Sequence, residues 1–350
     1  MHASSRVPRT GDSSVSVDAI GDSVDRIAAE TGFSGVVRID RDHGVVLAKA
    51  YGLAHRGHAV ANSVDTQFGI ASGTKGLTAL TVVSLVEQGT LGLAMTARSV
   101  LGADLPMVGD DVTVEQLLAH RSGIGDYYDE SADHEITDYV LTVPPHELVD
   151  SEDYLRVLDG HEAQSGPGER FAYCNSGYVL LALIAERTTG TPFAELVRHC
   201  VCLPAGMEDT AFLRSDELPG CAAVGYLAAD GLRTNAFHLP VRGSGDGGVY
   251  STAGDIHSMW SAFFAGRIVS KDWVAEMVRP RSQAPSESKR YGLGFWLDES
   301  GDAVMLEGFD AGVSFRTVHD PVAGVTHTVL SNTSLGAWPM ARHLAEILMP

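Results

Sequence analysis

The chain has 350 residues, 44% of them hydrophobic and 20% charged, with a formal net charge of −20. A fold of that length buries roughly three-quarters of its unfolded surface and requires no disulfide or metal staple. An acidic balance with no basic cluster excludes a nucleic-acid backbone as partner, and the longest apolar run, near LTALTVVSLV, is far short of the ~20 residues that span a bilayer.

The N-terminus has no apolar core of the signal-peptide kind, and its Ser/Gly-rich residues 1–15 are expected to be disordered. Residues 17–31 carry the apolar spacing of an amphipathic helix. SGVVRID and GVVLAKAYGLA follow as strands, joined by a hairpin turn at RDHG. From Ser72 to about Gln88 the pattern is helical and ends at Gly89. TVEQLLAHRSG opens on a capping box, Thr113 with Gln116, and is expected to run to Gly123. Residues 125–165 are polar and acidic with short helical pieces. SGYVLLALIAERTTG is a strong helix closed by Gly190, and TPFAELVRHCVCLPAG is another. A Gly-rich loop then feeds a helix capped at Thr252. The last hundred residues read as four antiparallel strands, YGLGFWLD, AVMLEGF, GVSFRTVHD and GVTHTVLSN, and a closing helix WPMARHLAEILM. Strands at both ends and helices between them predict an α/β (α+β) fold with an inserted helical unit. The boundaries are 16–78 with 250–350 for the α/β domain and 79–249 for the mainly helical one.

Several patterns carry no chemistry. Gly243-Ser244-Gly245-Asp246-Gly247-Gly248 satisfies G-x-G-x-x-G, but it lies outside any βαβ unit and reads as a tight loop. Fourteen histidines show no metal-ligand spacing, and there is no G-x-S-x-G. Cys174, Cys200, Cys202 and Cys221 are too few and too irregular for a disulfide framework, so reduced thiols in a cytoplasm are expected. No metal and no organic cofactor is expected.

FGIASGTKGLTAL, residues 68–80, is different. At a helix start Ser72 and Lys75 share a face, so the ammonium can reach the hydroxyl. First-turn N–H groups point outward there and can bind an oxyanion. A serine becomes a nucleophile only when a base takes its proton. Alone, the pair reads equally well as a capping serine beside a surface charge. About a hundred residues on, Tyr173-Cys174-Asn175 stands directly before the second strong helix. A tyrosine hydroxyl near an ammonium titrates below its usual ~10 and can act as general base, while Asn175 offers an amide to lysine and substrate. Its structural alternative is a turn that caps the helix.

These residues, with LLAHRSGI, LPAGMEDTAF, GGVYSTAGDI and GFDAGVSF in order, resemble the serine β-lactamase and penicillin-binding-protein superfamily. The nearest branch is the class C-like group of esterases, D-aminopeptidases and CubicO-type hydrolases. The resemblance implies an antiparallel sheet flanked by N- and C-terminal helices plus a helical domain, with the site in the cleft between them. It implies an acyl-enzyme on Ser72, proton movement by Tyr173 with Lys75, and substrate orientation by Asn175. One departure stands out. Where the family carries Lys-Thr-Gly or His/Trp-x-Gly, this chain has Leu306-Glu307-Gly308. No cation is present at that position, which weakens the case for a carboxylate-bearing β-lactam, and Glu307 would repel an anion if it faced the cleft. Gly308 is kept, and the N–H of Phe309 can complete the oxyanion hole. Leu306, Glu307, Gly308 and Phe309 are therefore expected to contact substrate. The expected activity is hydrolysis of small esters, amides or peptides, neutral or cationic. The rivals are a β-lactamase or penicillin-binding D,D-peptidase, and a non-catalytic binding protein on the same fold. The oligomeric state is not legible.

Overall fold

The computed structural model describes residues 17–42, 44–128 and 136–348. The disorder expected for 1–15 and the His43 position of the RDHG turn lie outside the described residues. The principal elements are α1 (Val17–Thr31), β1 (Gly35–Arg41), β2 (Gly44–Tyr51), α2 (Thr74–Glu87), α3 (Val114–Leu118), α4 (Asn175–Thr189), α5 (Ala253–Phe264), β3 (Ser282–Ala284), β4 (Lys289–Tyr291), β5 (Trp296–Asp298), β6 (Val304–Asp310), β7 (Val313–Asp320), β8 (Val325–Ser331) and α6 (Ala337–Leu348).

The eight strands form one antiparallel sheet in the order β2-β1-β8-β7-β6-β5-β4-β3. The first strands of the chain thus close against the last, with Val37 opposite Val329. The outer face is covered by the two terminal helices: Ile20, Val24 and Ala28 of α1 pack with Met340, Ala341 and Leu344 of α6 on Val37, Ile39 and Val329. The i, i+4, i+8 spacing of the three α1 residues and the i, i+1, i+4 spacing of those on α6 each put one apolar stripe on the sheet. The inner face carries the larger core, where α2, α4 and α5 meet Leu306, Phe315 and Leu330. α2 is buried on all sides from Thr74 to Leu85, as a helix through the middle of a core must be.

Three expectations change. YGLGFWLD is not one strand: it breaks at Gly292–Gly294 between β4 and β5, because Gly294 (φ +88) passes directly against Ala79 of α2 and leaves no room for a side chain. α3 keeps its Thr113/Gln116 capping box but ends at Leu118 rather than Gly123, since His120 takes a left-handed backbone (φ 52). GVVLAKAYGLA likewise divides at Gly52 (φ 71) into β2 and a short strand 53–55 that pairs with 60–61, while β3 and the pair 68–69 with 250–251 were not expected from the residues. All four cysteines are free, and among the described residues no helix is long and apolar enough to cross a membrane.

Candidate active site

Ser72 sits in a single 3-10 turn, Ala71–Gly73, that leads into α2. Ala71 is forced to φ 42, a conformation that costs a non-glycine residue about a kilocalorie or more. The turn is tied down on one side by Phe68 and Gly69, which pair with Ser251 and Tyr250, and by the Ile70 N–H, which donates to Val249. Lys75 follows one turn later and is only 2% exposed. A buried ammonium must find acceptors, and around this one lie Ser72 Oγ at 2.8 Å, Asn175 Oδ1 at 2.7 Å and the carbonyl of Asp246 at 2.8 Å.

Asn175 is the first residue of α4 and lies one hundred positions from Lys75 in sequence. The residue before it, Cys174, offers α4 no side-chain cap. The cap comes instead from Asp126, whose carboxylate accepts the N–H groups of Asn175 and Ser176, each at 2.8 Å, and the Ser176 hydroxyl at 3.0 Å. Tyr173 lines the same cleft as Ser72 and Asp126, and the Lys75 ammonium stands 4.9 Å from its ring centroid. Behind Tyr173, the fully buried His120 ring lies 4.3 Å away, and its Nδ1 accepts the Cys174 N–H at 3.0 Å. Burial pushes His120 well below the usual imidazole range, aided by the Lys75 charge, so its neutral ring serves as an acceptor.

The Gly-rich loop that reads as a decoy is part of this site. Gly243 and Gly248 approach so closely that a side chain on either would overlap the other. The loop is thereby folded tightly enough to aim two carbonyls at α2, that of Gly245 at Thr78 (2.7 Å) and that of Asp246 at Lys75. The Asp246 carboxylate accepts the Tyr127 hydroxyl at 2.5 Å. Burial raises the pKa of both Asp126 and Asp246; the hydrogen bonds from Ser176 and Asn175 are the main offset at Asp126, and the Lys75 charge is the main offset at Asp246.

The third motif splits between two faces of β6. Leu306 does not line the cleft. It is 2% exposed and packs on Gly76, where an added Cβ would lie 2.6 Å from its Cδ1. Gly308 presses on the serine turn, and a side chain there would collide with the Ile70 carbonyl. Glu307 and Phe309 do line the cleft with Gly308. Glu307 is not a bare charge: Lys289 Nζ lies 2.6 Å from one carboxylate oxygen and Arg316 Nε 3.1 Å from the other. Arg316 is its direct cross-strand partner on β7, and Lys289 reaches it from β4. With two cations around one carboxylate, the repulsion of anions expected from Glu307 does not follow. β6 pairs with β5 only through Val304 and Met305, so beyond them its edge meets the Ala71–Gly73 turn.

The cleft encloses about 600 Å³ and is walled by Phe171, Tyr173, Trp296, Phe309 and Trp338. The Tyr173 and Trp296 rings are parallel, 5.9 Å apart. Asp126, His120, Asp246, Lys289 and Arg316 were not singled out from the residues alone. A weak signal existed for two of them: DYY before a polar stretch for Asp126, and the dense glycines around Asp246, which mark close backbone approach.

A family model described as Beta-lactamase matches residues 20–348. The chain is 28% identical over 314 residues to the putative penicillin-binding protein PbpX of Bacillus subtilis (strain 168), covering 88% of this chain and 73% of that relative. It is 30% identical over 303 residues to the esterase EstB of Burkholderia gladioli, covering 77% and 76%. Its fold matches the crystal structure of a penicillin binding protein from Bacillus halodurans with TM-score 0.87 at 30% identity, covering 93% of this chain and 100% of the other.

Proposed function

The chain belongs to the beta-lactamase family, and on that premise we propose that it is a serine hydrolase acting through a Ser72 acyl-enzyme on small neutral esters or amides. The observation that carries the reading is the Lys75 ammonium held between the Ser72 hydroxyl and the Asn175 amide. In this mechanism Ser72 Oγ attacks the substrate carbonyl and gives its proton to Tyr173. The Lys75 ammonium stabilises the phenolate form of Tyr173. The N–H groups of Ser72 and Phe309 receive the oxyanion, a role for which the close seat of Gly308 on the serine turn is suited. Asn175 orients the substrate amide or ester. The adduct then collapses with cleavage of the substrate C–O or C–N bond, and Tyr173 gives the proton to the departing alcohol or amine; in deacylation Tyr173 takes a proton from the attacking water and returns it to Ser72 Oγ as the acid leaves.

The cleft in this reading lies between residues 16–78 with 250–350 on one side and 79–249 on the other. Family relatives named as an esterase and as penicillin-binding proteins mark the two directions substrate choice could take. The balanced charge around Glu307 and the aromatic walls support a neutral, apolar acyl group. The class C-like grouping rests on the Tyr173-Cys174-Asn175 motif, and the free thiols support a cytoplasmic place.

A fluorophosphonate probe tests the reaction class. Labelling is expected at Ser72, lost in Ser72→Ala and reduced at least a hundredfold in rate in Lys75→Ala; a folded protein that does not label is a binding protein on the same fold. A panel of p-nitrophenyl esters, D-alanine amides and a chromogenic cephalosporin then sorts substrates, with the esters expected to lead. Faster turnover of the cephalosporin would overturn the neutral-ester assignment.

A further inference from the structure

α4 begins at a residue that must do two things at once. Its backbone N–H needs a cap, and its side chain must hold Lys75. The cap comes from Asp126, 49 residues upstream. The attachment is reciprocal, because the Tyr127 N–H donates to the Ser176 hydroxyl at 2.9 Å while that hydroxyl donates to Asp126. The loop after α3 is thus zipped to the first turn of α4, where a carboxylate is also favoured by the helix dipole.

This zipper settles which way the Asn175 amide points. Its Nδ2 faces Asp126 Oδ2 at 3.5 Å and the Tyr128 carbonyl at 3.4 Å, while its Oδ1 takes the Lys75 ammonium at 2.7 Å. Turned over, the amide would set N–H groups against an ammonium and its oxygen against a carboxylate and a carbonyl. Only one orientation satisfies the donors and acceptors. Among the described residues, groups that face Lys75 and Asn175 include Asp126 from the loop after α3, Asp246 from the Gly-rich loop, the rings of Tyr173 and Tyr178, and the neutral His120. Asp126 and Asp246 are the two carboxylates among them, and Asp246 spends one oxygen on Tyr127.

We infer that Asp126 is a positioning residue of the reaction, fixing Asn175 with its carbonyl oxygen toward Lys75 and supplying part of the negative field that keeps Lys75 an ammonium. The inference rests on the Ser72 acyl-enzyme reading. Asp126→Asn keeps the shape, removes the charge and presents an amide that can hold only one of the two N–H groups. Per serine titrated with fluorophosphonate, kcat is expected to fall tenfold or more with KM within about threefold. The alkaline limb of the kcat/KM profile should move down by about one pH unit, because Lys75 loses its charge more readily. A merely structural role would lower the melting temperature and the titratable fraction without moving the limb. Asp126→Glu keeps the charge at a displaced position, so the limb should stay at the wild-type pH while kcat falls severalfold; it also decides the matter if the Asn variant does not fold. For either variant, kcat per titrated serine within twofold of wild type overturns the inference. Ser72→Ala is run in parallel. If it keeps turnover, the acyl-enzyme reading fails and takes this inference with it; if it is inactive while both Asp126 variants behave as wild type, this inference alone fails.

Discussion

Glu307 shows how far a single residue's meaning depends on its neighbours across the sheet. In the string LEGF it stands as an isolated acid next to the retained Gly308. In the sheet it is opposite Arg316 and beneath Lys289, and the latter also lies 5.1 Å from the Trp296 ring centroid. Its charge is therefore part of a local balance in the cleft wall. Glu307→Gln leaves Lys289 and Arg316 uncompensated behind the wall of the cleft that Ser72 lines. At the effective dielectric of a half-open cleft, such a charge is worth on the order of 1 kcal/mol, or roughly fivefold in rate. The kcat/KM ratio of a p-nitrophenyl hemisuccinate to p-nitrophenyl butyrate should rise by about that factor in Glu307→Gln. An unchanged ratio would mean the trio is too remote from the acyl group to influence it.

At the scale of elements, the central strands carry polar groups that only a neutral state tolerates. His327 of β8 lies between Ile39 and Val318 in register. Burial, with the Arg316 charge as the lesser cause, pushes its pKa down to about 3. Neither ring nitrogen has a hydrogen-bond partner among the described residues. Its folded pKa is depressed below the free value, so the unfolded chain binds a proton first as pH falls. The associated stability is complete above about pH 6.5 and is lost progressively down toward pH 3, about 2 kcal/mol of it by pH 5. His120 acts in the same direction, whereas Asp126 and Asp246, raised by burial, act against it. The contribution is isolated by comparing variants: between pH 7.5 and pH 5 the urea-unfolding free energy of wild type should fall by about 2 kcal/mol more than that of His327→Leu. Equal slopes would show that the histidine is hydrated or paired in the folded protein. This strand was legible as a strand from its run of β-branched residues, but its histidine was not legible as buried, because those residues alone do not say that both faces are covered.

Across the whole molecule, what could be read in advance follows from how far apart the cooperating parts lie in the chain. Ser72 and Lys75 were legible as a possible pair because a helix repeat puts them on one face, and Asn175 because it stands at the mouth of a strong helix. The terminal helices and the long strands were legible from periods of 3.6 and 2. Asp126, Asp246, Lys289 and Arg316 were not, since loops and cross-strand register deliver them from remote positions. The same limit hid Leu306, whose face on β6 is decided by contact with α2. That contact is where the sheet and the helical layer dock, and it is built on glycines: Gly76 under Leu306, Gly294 against Ala79, and Gly308 on the serine turn. They differ in what an added methyl would strike. At Gly76 it meets the end of a flexible leucine, which can yield. At Gly308 it meets the backbone carbonyl of Ile70, which cannot yield without moving Ser72 or β6. Gly308→Ala should therefore cost about 1–3 kcal/mol of stability and at least a hundredfold in kcat, because the Phe309 N–H is displaced from the serine turn. Gly76→Ala should cost less stability than that and keep kcat within about tenfold. Melting curves with ester turnover per titrated serine decide between them, and a Gly308→Ala enzyme as active as Gly76→Ala would show that β6 does not supply the oxyanion donor.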